Sequence, residues 1–190
     1  MSGKDKLASG DHSDATVIYG PNRIVGETIE LEGHYEVWCV GADGKEKWRD
    51  TIKNLVTTAG KNDFLDKYLK GAAYTQTIVM GLKAVGAAAV GDTQASHAGW
   101  LEAGTANAPT YTAPRKTVTM GAAAAGSSVS PVQAFAMTGA GTVAGCFINN
   151  GGTTAIDNTT GVLFSAGDFT GGNKVVTSGD TVNVTYTLGV

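Results

Sequence analysis

Large aliphatic side chains and charges are both scarce in this chain of 190 residues. Leu, Ile, Val and Phe together fill 39 positions, and only 16% of residues are charged, with a net charge of −3. That balance lacks the basic excess with which nucleic-acid binders displace counterions, so no nucleic acid is expected as a partner. Low apolar content would suit a disordered chain only alongside a high net charge, which is also missing; the chain is expected to fold around a thin core. The longest stretch free of charge and strongly polar groups, Ala84 to Val90, falls far short of the roughly 20 residues a bilayer span requires, which excludes membrane insertion. The opening residues, Met1-Ser2-Gly3-Lys4-Asp5-Lys6, are polar with no apolar stretch behind them, so no secretory signal is read and synthesis in the cytoplasm is expected. Cysteine is limited to Cys39 and Cys146, far apart and without CxxC spacing, which signals neither a zinc site nor a redox motif. Both are expected as buried, reduced, small hydrophobes.

Small and β-branched residues take the place of what is missing: 27 Gly, 26 Ala and 24 Thr, with 18 Val against 9 Leu. Branched side chains suit a pleated surface better than a helix, so an all-helical fold is excluded. Charge is unevenly spread. Residues 1–70 carry 22 charged side chains and residues 71–190 only nine. A long Gly, Ala and Thr surface with so few charges is poorly protected against association, and the second half is expected to pack against neighbours.

The composition of residues 1–14, rich in Gly, Ser, Asp and Lys, is that of an N-terminal arm that cannot bury itself. A β-rich domain is expected over 15–190. Ala15–Tyr19, Gly26–Glu32 and His34–Val40 read as strands, and Asp43-Gly44 predicts a tight turn before a strand from Glu46 to Asp50. Thr57-Thr58 can cap one short helix over roughly 59–70, with Phe64, Leu65, Tyr68 and Leu69 on the face expected to lie against the β-unit and Gly71 as its stop. Further strands are read at Gln76–Leu82, Thr117–Met120, Val132–Met137, Thr142–Ile148, Gly161–Ser165 and Thr181–Leu188. In the last, Val182, Val184, Tyr186 and Leu188 alternate strictly with Asn183, Thr185 and Thr187. Short strands at this spacing predict a mainly β fold, a β-sandwich or jelly roll with one helix.

Chemistry-bearing constellations are few. Asp92, His97 and Glu102 lie close together in the chain and are the right ligand types for a metal or for acid–base work, but a loop His bonded to a backbone carbonyl is the reading preferred. His34 reads as a partly exposed strand residue. Ser96 beside His97 lacks a GxSxG elbow, and adjacency in sequence does not place a hydroxyl against an imidazole nitrogen. Gly151-Gly152 and Gly171-Gly172 lack GxGxxG and a Walker lysine and read as turns. Gly91-Asp92-Thr93 and Gly179-Asp180-Thr181 read as two turns leading into strands, with Asp bonding its own backbone. No catalytic residue, cofactor or metal ligand is assigned, and no enzyme activity is expected. Trp38, Trp48 and Trp100 leave a carbohydrate-binding adhesin as an alternative, although core or interface packing is the usual role of Trp.

Three blocks carry a resemblance. They are Trp48-Arg49-Asp50 through Asn54-Leu55-Val56-Thr57-Thr58-Ala59-Gly60-Lys61-Asn62 to Leu65-Asp66; Gly91-Asp92-Thr93 to His97-Ala98-Gly99-Trp100; and Gly161-Val162-Leu163-Phe164-Ser165-Ala166-Gly167 to Gly179-Asp180-Thr181-Val182-Asn183-Val184-Thr185-Tyr186. Together, over roughly residues 35–188, the chain resembles a family of tailed-bacteriophage virion structural proteins, loosely described as tail, fibre or head-associated components. The resemblance implies a place in the virion, with other virion proteins as partners: the capsid, or neck and tail proteins. It implies no catalytic residues. A capsid-decorating or cementing protein, a fibre base or a collar piece is the expected role, with a tail component as the alternative. A homo-oligomer, with a trimer as the first expectation, fits small β-units whose arms cross onto neighbours.

Overall fold

The computed structural model describes residues 30–74 and 77–190. The arm, the Ala15–Tyr19 strand, most of Gly26–Glu32 and the first residue of Gln76–Leu82 lie outside the described residues. Along the described chain run β1 (Glu32–Val40), β2 (Glu46–Lys53), β3 (Leu55–Val56), helix α1 (Thr58–Tyr68), β4 (Ile78–Gly86), β5 (Trp100–Glu102), β6 (Lys116–Val118), β7 (Ser127–Val129), β8 (Gln133–Ala136), β9 (Gly141–Val143), β10 (Gly145–Asn150), β11 (Val162–Asp168), β12 (Lys174–Val176) and β13 (Thr181–Gly189). The fold is mainly β and sandwich-like.

One sheet has the order β2-β1-β13, with β7 and β8 both pairing the far edge of β13; the other runs β3-β11-β10-β4, with β5 and β6 both pairing the far edge of β4. A short ribbon joins β9 to β12. The central strands are long because their apolar residues alternate. Tyr35, Val37 and Cys39 of β1 and Val182, Val184 and Tyr186 of β13 are buried on one face, as period-two geometry requires. They meet Met80, Leu82 and Ala84 of β4 and Cys146 and Ile148 of β10 in a single core. Both cysteines are free and buried.

The second sheet is also covered on its outer face. Trp100, Phe147, Leu163 and Ala166 form a smaller cluster there. A bulge in β11 keeps the two faces distinct: Ile148 pairs Ser165 and Asn149 pairs Leu163, leaving Phe164 as the extra residue. Phe164 turns toward the main core, while Leu163 turns toward the outer cluster. Between β1 and β2, Gly44 adopts a φ of +79° and the Asp43 carboxylate accepts from the Lys45 N–H, so the Asp-Gly turn forms where expected.

Helix α1 starts as expected, with the Thr57 hydroxyl accepting the Gly60 N–H at 3.0 Å, and Gly71 follows it in a left-handed conformation. Its orientation corrects the expectation drawn from Phe64, Leu65, Tyr68 and Leu69. Leu65, Tyr68 and Leu69 are 49%, 78% and 70% exposed, and of the four only Phe64 turns partly inward. The helix is seated by its smallest residue: a Cβ at Gly60 would lie 2.3 Å from the Phe164 carbonyl oxygen. Backbone against backbone brings the helix so close that no large side chain fits at the contact, and the large apolar residues are turned outward.

Other expectations shift in detail. The single strand expected at Thr142–Ile148 is two, because Ala144 divides β9, which pairs β12, from β10, which pairs β4 and β11. Gly179-Asp180-Thr181 does lead into β13, but after Gly91-Asp92 the chain forms only a bridge between Thr93 and Ser96. Among the described residues no helix is long and apolar enough to cross a membrane.

Candidate functional site

Asp92, His97 and Glu102 do not converge on one point. The His97 Nδ1 lies 3.1 Å from the Trp100 carbonyl oxygen and its ring stacks on the Trp100 indole at 3.9 Å between centres; this is the backbone-carbonyl bond expected of a loop His. Asp92 accepts from the Trp100 indole N–H at 2.9 Å and from the Ala89 N–H at 2.8 Å. Glu102 is turned away into a buried pair with Arg115, with Nη2 to Oε2 at 2.5 Å and Nε to Oε1 at 2.7 Å. Among the described residues no three His, Cys, Asp or Glu side chains gather as metal ligands. His34 is half-buried in β1, as read. Trp100 is buried, Trp48 is half-buried with its indole N–H donated to the Val175 carbonyl, and the Arg49 guanidinium covers the half-buried Trp38 ring at 5.0 Å.

Most of the few charges of residues 71–190 are taken up in ion pairs. Of the nine, six are ion-paired: Lys83 with Asp168, Arg115 with Glu102, Asp180 with Lys47 and Lys174 with Asp50. Lys83, Glu102, Arg115 and Asp180 are buried. Arg115 also donates to the Thr153 and Asn158 carbonyls, and Glu102 accepts the Asp157 N–H. This pair therefore fastens the loop after β10 across the second sheet. Gln94 and Asn149 extend the same fastening, with Asn149 Nδ2 donating to Gln94 Oε1 and to the Thr160 carbonyl, and Gln94 Nε2 to the Asn158 carbonyl. Burial of Arg115 and Glu102 is tolerated because each finds several partners, whereas the Asn149 Oδ1 is buried without one. None of Lys83, Arg115 or Asp168 was singled out from the sequence, although a lone charge within an apolar run, such as Lys83 within β4, signals a buried pair.

With those charges withdrawn, the exterior offers apolar contact. A groove of about 380 Å³ runs beside α1, lined by Phe64, Tyr68, Ile78, Met120, Phe164 and Leu188 among others. Its polar margin is closed on itself: Asn150 donates to Asp63 at 2.7 Å and accepts from the Tyr74 hydroxyl at 3.4 Å, while Lys67 bonds the Ala73 carbonyl at 3.0 Å. Leu65, Leu69 and Tyr74 stand exposed nearby in the chain. Val85, Leu101, Val129, Val132 and Val175 are exposed on strands or beside them. The chain matches no protein-family model, no curated protein and no solved structure.

Proposed function

We propose that the chain is a bacteriophage virion structural accessory protein that decorates or cements the capsid, or forms a fibre base or collar piece, by protein–protein contact. The observation that carries this reading is the charge-poor exterior of residues 71–190. Nine charges are few for 120 positions, and four of them are buried, so large apolar side chains stand on that surface with little charge between them. Interspersed charges are what keep a monomer apart from its neighbours, and a surface poor in them is open to contact. The blocks that resemble virion structural proteins fall on structurally central features. The first carries the Thr57 cap and the Gly60 seat of α1, and the last carries β11 and β13. Other virion proteins and further copies of this chain are the partners the reading requires.

Mass spectrometry of phage particles purified by density gradient tests it directly. The chain is expected in the particles at the copy number of a structural component. A chain abundant in the lysate of infected cells but absent from purified particles overturns the proposal.

A further inference from the structure

On the outer face of the second sheet, Lys83, Gly145 and Asp168 form one row across three strands: Gly145 of β10 is the register partner of Lys83 in β4 and of Asp168 in β11. Two strand spacings, roughly 10 Å, separate the outer backbones. A lysine side chain crosses that distance only over a residue with no side chain of its own. Gly145 meets this need, and a Cβ there would lie 1.9 Å from the Gly167 carbonyl oxygen. The Lys83 amine is therefore brought onto the Asp168 carboxylate, Nζ against Oδ1. Its side chain is wholly buried, with Nζ 5.4 Å from the centre of the Trp100 ring. The second carboxylate oxygen, Oδ2, is held by the Ala88 N–H at 3.0 Å.

We propose that Lys83 and Asp168 become joined by an isopeptide bond. The buried amine and the carboxyl group held by the Ala88 N–H are the two groups that amide formation joins, and the condensation needs no external reagent to balance. A proton passes from Nζ to Oδ1 within the ion pair, leaving a neutral amine and a carboxylic acid. The nitrogen lone pair attacks Cγ, and the charge that develops on Oδ2 meets the Ala88 N–H, a donor already in place. A second proton moves from nitrogen to Oδ1, the Cγ–Oδ1 bond breaks, and one water leaves. Ammonium and carboxylate thus become amide and water, with no net change of charge and no oxidation or reduction. Water opposes this condensation when the two groups are free in solution. Holding them in contact supplies effective molarities of about 10⁵–10⁸ M, which lowers the barrier to the intramolecular reaction. Two-fifths of the Asp168 side chain is open to solvent, which gives the released water its exit. The product ties β4 to β11 across β10.

The intact mass of the purified full-length chain, measured after denaturation, tests the proposal and needs no folded variant. The expected mass is one water below that of the sequence, and tryptic digestion should yield a branched peptide joining the segments around Lys83 and Asp168, with no cleavage after Lys83. Lys83→Arg and Asp168→Ala are each expected to restore the full sequence mass. Asp168→Asn is expected to form the same link with loss of ammonia, giving the same final mass as the linked native chain. A native chain at full sequence mass, before and after prolonged incubation in the folded state, shows an ion pair only and overturns the proposal. So does a loss of water that persists in Asp168→Ala.

Discussion

Burial decides how individual side chains behave. Cys39 lies inside the core, and burial, joined by the nearby Asp180 carboxylate, pushes its thiol up to about 11. Burial alone pushes Cys146 up much further, against the opposing effect of the Lys83 ammonium. The thiolate is the reactive form, so neither cysteine should react while the protein is folded. Alkylation at neutral pH is expected to modify neither in the native protein and both in denaturant; labelling of native Cys39 or Cys146 would contradict their placement. Asp180 shows the opposite sign. Burial alone would raise its carboxyl, but the Lys47 ammonium at 2.6 Å and the Thr177 N–H at 2.8 Å outweigh that and hold it below its ordinary value of 3.8. A carboxyl depressed by folding adds stability above its unfolded value and loses that stability as pH falls through its folded value. Asp180→Asn should therefore cost about 1–2 kcal/mol at neutral pH, in line with loss of a charge-assisted bond. Urea unfolding of the two proteins should show the gap closing as pH drops below 3.8. A gap that is constant with pH would mean that shape, not charge, makes the contribution.

Within the elements, α1 separates what the sequence announces from what it conceals. Its start and stop were legible, because a Thr cap and a Gly stop are local chemistry. Its buried face was not, because the face is chosen by the close approach of Gly60 to Phe164, a hundred positions away in a strand, rather than by the largest apolar residues. The same division holds for the sheets. Strict alternation made β13 readable, whereas β3, β5, β7 and β12 are two or three residues long and too short to show any period. The row of Lys83, Gly145 and Asp168 was illegible for a related reason: register, not spacing along the chain, brings it together. A paired substitution separates the two views of the helix. Gly60→Ala puts a methyl against a backbone carbonyl that cannot retreat and should cost about 1–3 kcal/mol. Leu65→Ala, on the half-exposed side, should fall within about 0.5 kcal/mol of the native protein. Thermal or urea unfolding that ranks the two the other way round would return Leu65 to the buried face.

For the molecule as a whole, thin core and bare surface are two consequences of one composition. Gly, Ala and Thr let strands and helix approach closely but supply little apolar volume, and the ion pairs of residues 71–190 take up six of their nine charges, while apolar side chains stand outside. Such a surface should associate. At micromolar concentration the isolated protein is expected to be an oligomer by light scattering, with a trimer as the predicted form. The flank formed by β7 and β8 along β13 carries Val129 and Val132, each about half exposed. Lysine on sheet flanks is a common guard against association, and at half-exposed positions it can extend into water without disturbing the core. Val129→Lys combined with Val132→Lys should therefore shift the oligomer toward monomer while leaving the unfolding midpoint nearly unchanged. A native protein that is monomeric at that concentration would refute self-association, and an oligomer unmoved by the two lysines would place its contacts elsewhere, with the exposed Tyr68 and Leu69 face of α1 the next to be charged.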